Sequence, residues 1–135
     1  MKALDTSVLL ALLEGDRAAR DLLRKLRGTE IATTEVNMLE LAYLAGRASP
    51  RSRSHRRDAV DRLRRKLTVL PIDQRAVLEA ERRVVKGEGP SSTGVAGMLG
   101  ALETAGCEEL FTSDPQECVG RWRFKVTRFT RHTTQ

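Results

Sequence analysis

The sequence predicts an α/β fold with a central parallel sheet of about five short strands flanked by helices. Short apolar segments suited to buried strands alternate with longer segments whose apolar residues recur at helical spacing. Glycines end several of the helical patterns, as at Gly28 and Gly46. Strands that alternate with helices are typical of a parallel sheet. A chain of 135 residues has the size of one domain, which we place at residues 1–130, with a polar tail at 131–135.

The N-terminal segment predicts a short strand, Lys2–Leu4, followed by an acidic residue and a helix. We expect Thr6 or Ser7 to cap this helix, which ends at Gly15. Ligands bind at the carboxyl ends of strands in open α/β sheets, so Asp5 is a candidate site residue. The alternative is that Asp5 only caps the helix.

A second helix is predicted from Arg17 to Arg27, a second strand from Glu30 to Thr34, and a third helix up to Ala45. An apolar sector of the third helix consists of Val36, Leu39, Tyr43 and Leu44. Glu40 falls inside this sector. A carboxylate directed toward a core is costly unless it is paired or bound to a metal, so Glu40 is a second candidate. A boundary Glu with a solvated head group is the alternative.

The segment from Ala48 to Arg57 is polar and rich in arginine, and we predict an exposed loop there. A helix from Arg56 to Leu67 follows, with Val60 and Leu63 directed inward. This basic stretch is the best candidate for contacts with RNA phosphates, through Arg51, Arg53, Arg56, Arg57, Arg64, Arg65 and Lys66. A solvated charged helix is the alternative.

The second half of the chain continues the alternation. A third strand is predicted at Thr68–Ile72 and a helix from Asp73 to Lys86. The following helix buries Met98 and its neighbours on one face and carries an adjacent stripe of small residues that suits close backbone packing, consisting of Gly94, Gly97 and Ala101. The fourth strand, Glu109–Thr112, leads into Asp114.

The C-terminal end completes the sheet. A short helix is predicted near Gln116 to Val119, and the fifth strand spans Arg123 to Thr127. The two cysteines, Cys107 and Cys118, lack metal-ligand spacing. We expect them to be buried or reduced thiols, with a disulfide as the alternative.

The composition of the chain indicates what kind of partner the protein binds and in which compartment it is found. The net charge of +6 and the isoelectric point of about 10.0 favour an anionic partner, of which nucleic acid is the commonest. No apolar run approaches the roughly 20 residues of a membrane span. An acidic residue at position 5 interrupts any signal-peptide core. We therefore expect a cytoplasmic protein that does not enter a membrane.

Three carboxylates point to one chemistry. Asp5 and Asp114 each follow a short apolar strand, and Glu40 comes from a helix that follows another. Carboxylates gathered at one sheet edge repel each other unless a divalent cation neutralises them. Hard oxygen ligands select Mg²⁺ or Mn²⁺, ions that activate water for phosphodiester hydrolysis.

The segments around these acids form three motif blocks, at residues 4–9, 38–41 and 110–114, reading Leu-Asp-Thr-Ser-Val-Leu, Met-Leu-Glu-Leu and Leu-Phe-Thr-Ser-Asp. Their order and spacing resemble the PIN domain, notably small prokaryotic toxin ribonucleases of the VapC type, over nearly the whole chain. The resemblance implies a PIN fold and RNA cleavage that depends on Mg²⁺ or Mn²⁺. It also implies a homodimer and a cognate antitoxin protein as partner.

Carried over position by position, the resemblance assigns Asp5, Glu40 and Asp114 to the catalytic metal site. Thr6 and Thr112 match hydroxyl residues that support that site.

One position departs from the family pattern. The PIN pattern expects an Asp at the start of the helix before the last motif, where this chain has Gly94. Glu103 lies on the opposite face of that helix, since nine residues separate it from Gly94 at 100° per residue. Glu88, in the preceding glycine-rich loop, is the other candidate to replace the missing acid. The loss of one carboxylate predicts a weakened metal site.

Two functions remain open from the sequence. The first is a metal-dependent endoribonuclease, the toxin of a toxin–antitoxin pair or a housekeeping RNA-processing enzyme. The alternative is a catalytically weakened PIN-fold module that binds RNA or protein, which Gly94 and the basic stretch favour.

Overall fold

The structure is a computed structural model that describes residues 1–47, 50–90 and 92–132. The strands are Lys2–Leu4 (β1), Ile31–Thr34 (β2), Thr68–Leu70 (β3), Glu109–Thr112 (β4) and Lys125–Arg128 (β5). The helices are Thr6–Leu13 (α1), Arg17–Lys25 (α2), Glu35–Gly46 (α3), Pro50–Lys66 (α4), Gln74–Val85 (α5) and Thr93–Thr104 (α6), and Pro115–Glu117 forms a 3-10 turn.

All five strands are parallel and lie in the order β3-β2-β1-β4-β5. The predicted α/β fold with a five-stranded parallel sheet is confirmed. In the central strand β1, Ala3 pairs with Ala32 on one side and with Leu110 on the other. Because the strands are parallel, the residues that follow β1, β2 and β4 meet at one edge of the sheet.

The core lies on both faces of the sheet. Successive side chains of a strand point to opposite faces, and Leu4 packs with Val8 and Leu41 on the side of α1 and α3. Ala3 packs with Leu99 and Leu110 on the side of α6. Burial on both faces explains why β1 has no alternating polar residues beyond Lys2.

Helix α4 begins at Pro50, so the predicted loop at 48–57 is wrong from Pro50 onward; residues 48 and 49 lie outside the described part. Proline is favoured in the first turn of a helix, and arginine is a good helix former. Polarity identified an exposed segment here but not its secondary structure.

The predicted inward face of α3 is wrong at Leu39, Tyr43 and Glu40, whereas Val36 does pack against the core. The buried residues of α3 are Asn37, Met38, Leu41 and Ala45. Leu39 and Tyr43 are 58% and 68% exposed, and Glu40 is exposed as well. Apolar residues lie on both sides of α3, so their helical spacing does not identify the side that faces the core. The buried side also carries a polar residue, Asn37.

The close approach of α5 and α6 occurs at Gly100 rather than along the predicted stripe. A Cβ at Gly100 would lie 2.1 Å from the backbone oxygen of Ala76. A Cβ at Gly97 would make an ordinary 3.5 Å contact with Ile72, and one at Gly94 would meet only Ser92 Oγ at 3.7 Å. The small residues of α6 therefore serve packing within the chain at Gly100, while Gly94 has space around it.

The C-terminal segment packs against the first two helices. The predicted short helix near Gln116 is a 3-10 turn, and the fifth strand begins at Lys125. Beyond it Phe129 is buried, Arg131 Nη2 lies 2.8 Å from Glu14 Oε1, and the His132 N–H donates to Asp16. Residues 133–135 of the predicted tail lie outside the described part.

The structure bears on the predicted state of the two cysteines and on the predicted absence of a membrane span. Cys107 and Cys118 are free thiols. In the described ranges, no helix has the length and apolar character needed to cross a membrane.

We predict that Gly100→Ala lowers the free energy of unfolding by about 2 kcal/mol or more, because the new methyl group would overlap the Ala76 carbonyl and force α5 and α6 apart. Urea unfolding followed by circular dichroism measures the change. Gly97→Ala is the matched control and should be neutral or stabilising by up to about 1 kcal/mol from helix propensity. Equal stability of Gly100→Ala and the unsubstituted chain would contradict the packing described.

Candidate active site

A cavity of about 270 Å³ opens at the carboxyl edge of the sheet, between α1, α3, α6 and the 3-10 turn. Asp5, Glu40 and Asp114 all line it, so the fold brings the three predicted carboxylates to one place. Gly94 lines the same cavity, as does Glu117. We call this space the carboxylate cavity.

Asp5 caps helix α1, where Thr6 or Ser7 was predicted as the cap. Its Oδ1 accepts hydrogen bonds from Ser7 N at 3.0 Å and Val8 N at 3.3 Å, and a short one from the Ser7 hydroxyl. An aspartate is a favoured N-cap because its carboxylate satisfies amide groups that the helix leaves unpaired. Capping and a role in the site are therefore not alternatives, since the capping bonds fix the carboxylate at the cavity wall.

Two hydroxyl groups connect Asp5 to the end of β4. The Ser7 hydroxyl also accepts from Ser113 N at 3.0 Å. The Thr112 side chain hydrogen-bonds to Asp5, and its Oγ1 accepts from Asp114 N at 3.1 Å. Ser7 was not predicted as a site residue, although its place two residues after a capping acid is a recognisable signal.

A second chain of hydrogen bonds positions Glu40. Thr34 caps α3 and donates to Asn37 Oδ1 at 2.6 Å. The Asn37 amide donates to Thr6 Oγ1 at 3.1 Å, and Thr6 donates to Glu40 Oε1, also at 3.1 Å. Glu40 thus lies at the cavity although it does not point into the core. Asn37 was missed because a buried amide inside an apolar helix leaves no pattern in the sequence.

In the part of the chain that the structure describes, none of the four carboxylates that line the cavity forms an ion pair. Burial raises the pKa of Asp5 above its usual value, and the Ser7 and Thr112 hydroxyls offset part of this rise. Burial raises the pKa of Cys118 to about 11, with further contributions from the charges of Asp5, Glu117 and Asp114. The pKa of Cys118 therefore depends on the charges of these three carboxylates.

The structure also settles where the remaining acids lie. Gly94 lines the cavity, and a Cβ there would meet only Ser92 Oγ, at 3.7 Å. Glu103 is remote, ion-paired with Arg83 and Arg123, as its position on the opposite face predicted. Glu88 does not line the cavity. Glu117, which was not predicted, does so because the 3-10 turn brings residues three apart to the same side.

The donor set tests whether a metal fits. Asp5, Glu40, Asp114 and Glu117 offer carboxylate oxygens, the ligands that Mg²⁺ and Mn²⁺ prefer. Within the described residues, no three acidic, histidine or cysteine side chains stand close enough to hold an ion. The chemistry of the donors fits a hard cation, whereas their observed spacing does not gather three ligands around one point.

The basic stretch lies on α4, away from this cavity. Arg53, Arg57 and Arg64 line a groove between α3 and α4. Arg56 and Lys66 line the side toward α1, and Arg51 and Arg65 are exposed. None of the seven predicted basic residues lines the carboxylate cavity.

Comparisons with known proteins agree with the fold. A family model of the PIN domain matches residues 2–114. No curated protein matches the chain. VapBC2 from Rickettsia felis, bound to a DNA fragment from its promoter, has a similar structure, with a TM-score of 0.77, 9% identity and coverage of 96% of this chain and 98% of that one.

Two further solved structures are similar. DNA-bound VapBC from Salmonella typhimurium has a TM-score of 0.77 and 14% identity, covering 94% of this chain and 96% of that one. VapC20 from Mycobacterium tuberculosis, a sarcin-ricin loop cleaving toxin, has a TM-score of 0.64 and 19% identity, covering 84% and 92%. At these identities the likeness shows a shared fold.

We predict that Cys118 in a Cys107→Ser background titrates near pH 11, so that only about 1% is thiolate at pH 9 in buffer without divalent ions. The rate of alkylation by iodoacetamide as a function of pH measures this. Asp5→Asn should lower the pKa and speed alkylation, because it removes a negative charge beside the thiol.

Asp21→Asn, which changes an acid on α2, is the matched control and should have no effect. A Cys118 pKa near the ordinary value of 9.0, unaltered by Asp5→Asn, would contradict the described cluster of charge.

Proposed function

The chain belongs to the PIN domain family, and on this premise we propose that it is an endoribonuclease that hydrolyses RNA phosphodiester bonds at the carboxylate cavity. The observation that supports this most is the convergence of Asp5, Glu40 and Asp114 on one open cavity from three separate segments of the chain. We further propose that these three residues hold Mg²⁺ or Mn²⁺.

Each residue has a distinct part in this proposal. Asp5 is the fixed ligand, because its capping bonds prevent it from turning away. Glu40 and Asp114 are exposed and can turn toward an entering ion. Thr6 holds the Glu40 carboxylate, and Thr112 holds Asp5 and the Asp114 backbone. When bound, the ion would supply activation of water and stabilisation of the phosphate charge.

Glu117 adds a carboxylate that the motif comparison does not include. It lies in the wall of the cavity three residues after Asp114, where Gly94 leaves an acidic position vacant. An exposed Glu at the mouth can hold a water molecule or accept its proton, so we include Glu117 among the residues that support hydrolysis.

Gly94 also favours a second candidate function, a catalytically weakened PIN-fold module that binds RNA or protein. Position 94 lines the cavity and a Cβ there would make only an ordinary contact with Ser92 Oγ, yet the residue is a glycine and supplies no carboxylate. Without that ligand, a bound ion has fewer anchors and would be held more weakly. In this case the basic surface of α4 would carry the binding of RNA phosphates.

An antitoxin protein is the partner that the surface supports best, which would make this chain a toxin component. A groove of about 390 Å³ between α1, α2 and α4 has an apolar floor and a basic rim. The floor consists of Leu12, Leu23, Ile31, Leu63 and Leu67, and the rim of Arg20, Arg24, Arg27 and Lys66. An amphipathic, acidic segment matches both. VapBC-5 from Mycobacterium tuberculosis, a solved structure with the same fold, is a member of the VapBC family of toxin–antitoxin systems.

A homodimer in the cytoplasm completes the proposal. Helix α5 exposes four apolar side chains, Val77, Leu78, Val84 and Val85, of which Val85 is 84% exposed. Contiguous exposed apolar residues mark surfaces that proteins cover by association.

We predict that the chain cleaves a structured RNA in the presence of Mg²⁺ or Mn²⁺ and that Asp5→Asn lowers the rate by about 100-fold or more, because the fixed ligand is lost. Gly94→Asp should raise the rate above that of the unsubstituted chain. Gel analysis of end-labelled RNA measures cleavage, and Asp21→Asn is the charge-matched control.

Cleavage that persists in Asp5→Asn would remove the carboxylate cavity from the reaction. Silence of the unsubstituted chain together with cleavage by Gly94→Asp would establish the weakened module instead, since the scaffold would then be intact and the site incomplete.

A further inference from the structure

A second concave surface lies at the other end of helix α6 from the carboxylate cavity. It encloses about 750 Å³ between α5, the end of α6 and the segment before β5, and it shares no lining residue with that cavity. We call it the arginine cleft and define it by its basic residues, Arg75, Arg82, Arg83, Lys86, Arg121 and Arg123.

The floor of the arginine cleft is a rigid ionic network. The side chains of Arg83 and Glu103 are only 15% and 5% exposed. Arg83 contacts Glu79 Oε2 at 2.7 Å and Glu103 Oε1 at 3.6 Å, and it lies 4.1 Å above the Trp122 ring. It also donates to the Arg121 carbonyl from Nε and Nη2. These contacts fix the segment around Arg121 against α5 and α6, so the cleft keeps its shape without a ligand.

The cleft carries an excess of positive charge. Six cations face three carboxylates, Glu79, Glu88 and Glu103, which leaves a net charge of +3. Glu79 pairs with Arg82 and Arg83, and Glu103 pairs with Arg83 and Arg123, so this network of three cations and two carboxylates carries a net charge of +1. In the described part of the chain, no ion pair involves Arg75, Lys86 or Arg121. These three cations, together with Glu88, add a further net charge of +2 at the rim of the cleft beside the ionic network.

The lining distinguishes the class of ligand. Among the described residues that line the cleft, Leu78 is the only large apolar side chain, so a peptide would find little apolar surface to anchor it there. The groove between α1, α2 and α4 has the opposite character, with an apolar floor. Guanidinium groups bind phosphate oxygens through paired hydrogen bonds, and a polar cleft rimmed by Arg and Lys suits a phosphate backbone.

Helix α6 relates the cleft to the carboxylate cavity. Gly94 lies at the cavity and Glu103 in the cleft, nine residues apart, which corresponds to about 14 Å along the helix. We propose that the arginine cleft binds the phosphate backbone of RNA at a point distant from the cleaved bond, an inference that rests on the proposed nuclease function. The cleft then contributes affinity for structured RNA that reaches beyond the carboxylate cavity.

Binding of a fluorescently labelled structured RNA to the full-length chain, in EDTA and over a range of salt concentrations, tests this proposal without any cleavage. The variant Lys86→Gln/Arg121→Gln should weaken binding about tenfold and reduce the slope of log affinity against log salt by about 1.5, as expected for two lost phosphate contacts. The matched control, Arg17→Gln/Lys25→Gln, removes one Arg and one Lys from exposed positions on α2.

Equal affinities and slopes for the two double variants would overturn the proposal. So would a loss of binding to a glutamate-rich peptide with RNA binding intact, which would assign the cleft to an acidic protein. Arg75→Gln/Arg121→Gln repeats the test on a second pair. Because RNA binding is measured in EDTA, it does not depend on cleavage. Failure of the nuclease proposal would therefore appear only in the cleavage assay, and the binding result could still be interpreted.

Discussion

The arrangement of the carboxyl edge of the sheet depends on how Asp5 is held. Its Oδ1 accepts the amide hydrogens of Ser7 and Val8 and the Ser7 hydroxyl, so a single carboxylate both starts α1 and forms the cavity wall. Burial raises its pKa, and the hydrogen bonds compensate part of that cost. The Ser7 hydroxyl also accepts from Ser113 N, which joins the start of α1 to the end of β4, and Thr112 Oγ1 accepts from Asp114 N.

The parts of the structure that could be predicted are those in which local chemistry and position agree. Strand β1 and Asp5 lie within a few residues, so the strand end and its acid were evident. Glu40 was selected for the wrong reason, because it is exposed and reaches the cavity through Thr6 and Asn37. Pro50 starts a helix that polarity alone suggested was a loop. Glu117 enters the site through a turn whose geometry the sequence does not reveal.

Three concave surfaces of the protein differ in their charge and in their apolar character. The carboxylate cavity is negative, the groove beside α1, α2 and α4 is apolar with a basic rim, and the arginine cleft is polar with a net positive charge. The cleft could not be predicted, since α5, the end of α6 and residues 121–123 meet only in the folded chain. The run of arginines along the sequence indicated α4 as a phosphate-binding surface, and in the structure its cations surround two grooves.

The central claim is that Asp5 and its neighbouring carboxylates form a divalent-cation site despite Gly94. A direct test of this metal site is a crystal structure of the protein from crystals grown with Mn²⁺, with anomalous scattering recorded at the manganese absorption edge. We expect one anomalous peak in the carboxylate cavity, at about 2.1 Å from an oxygen of Asp5 and from at least one oxygen of Glu40, Asp114 or Glu117. An empty cavity at millimolar Mn²⁺, with the fold unchanged, would contradict it.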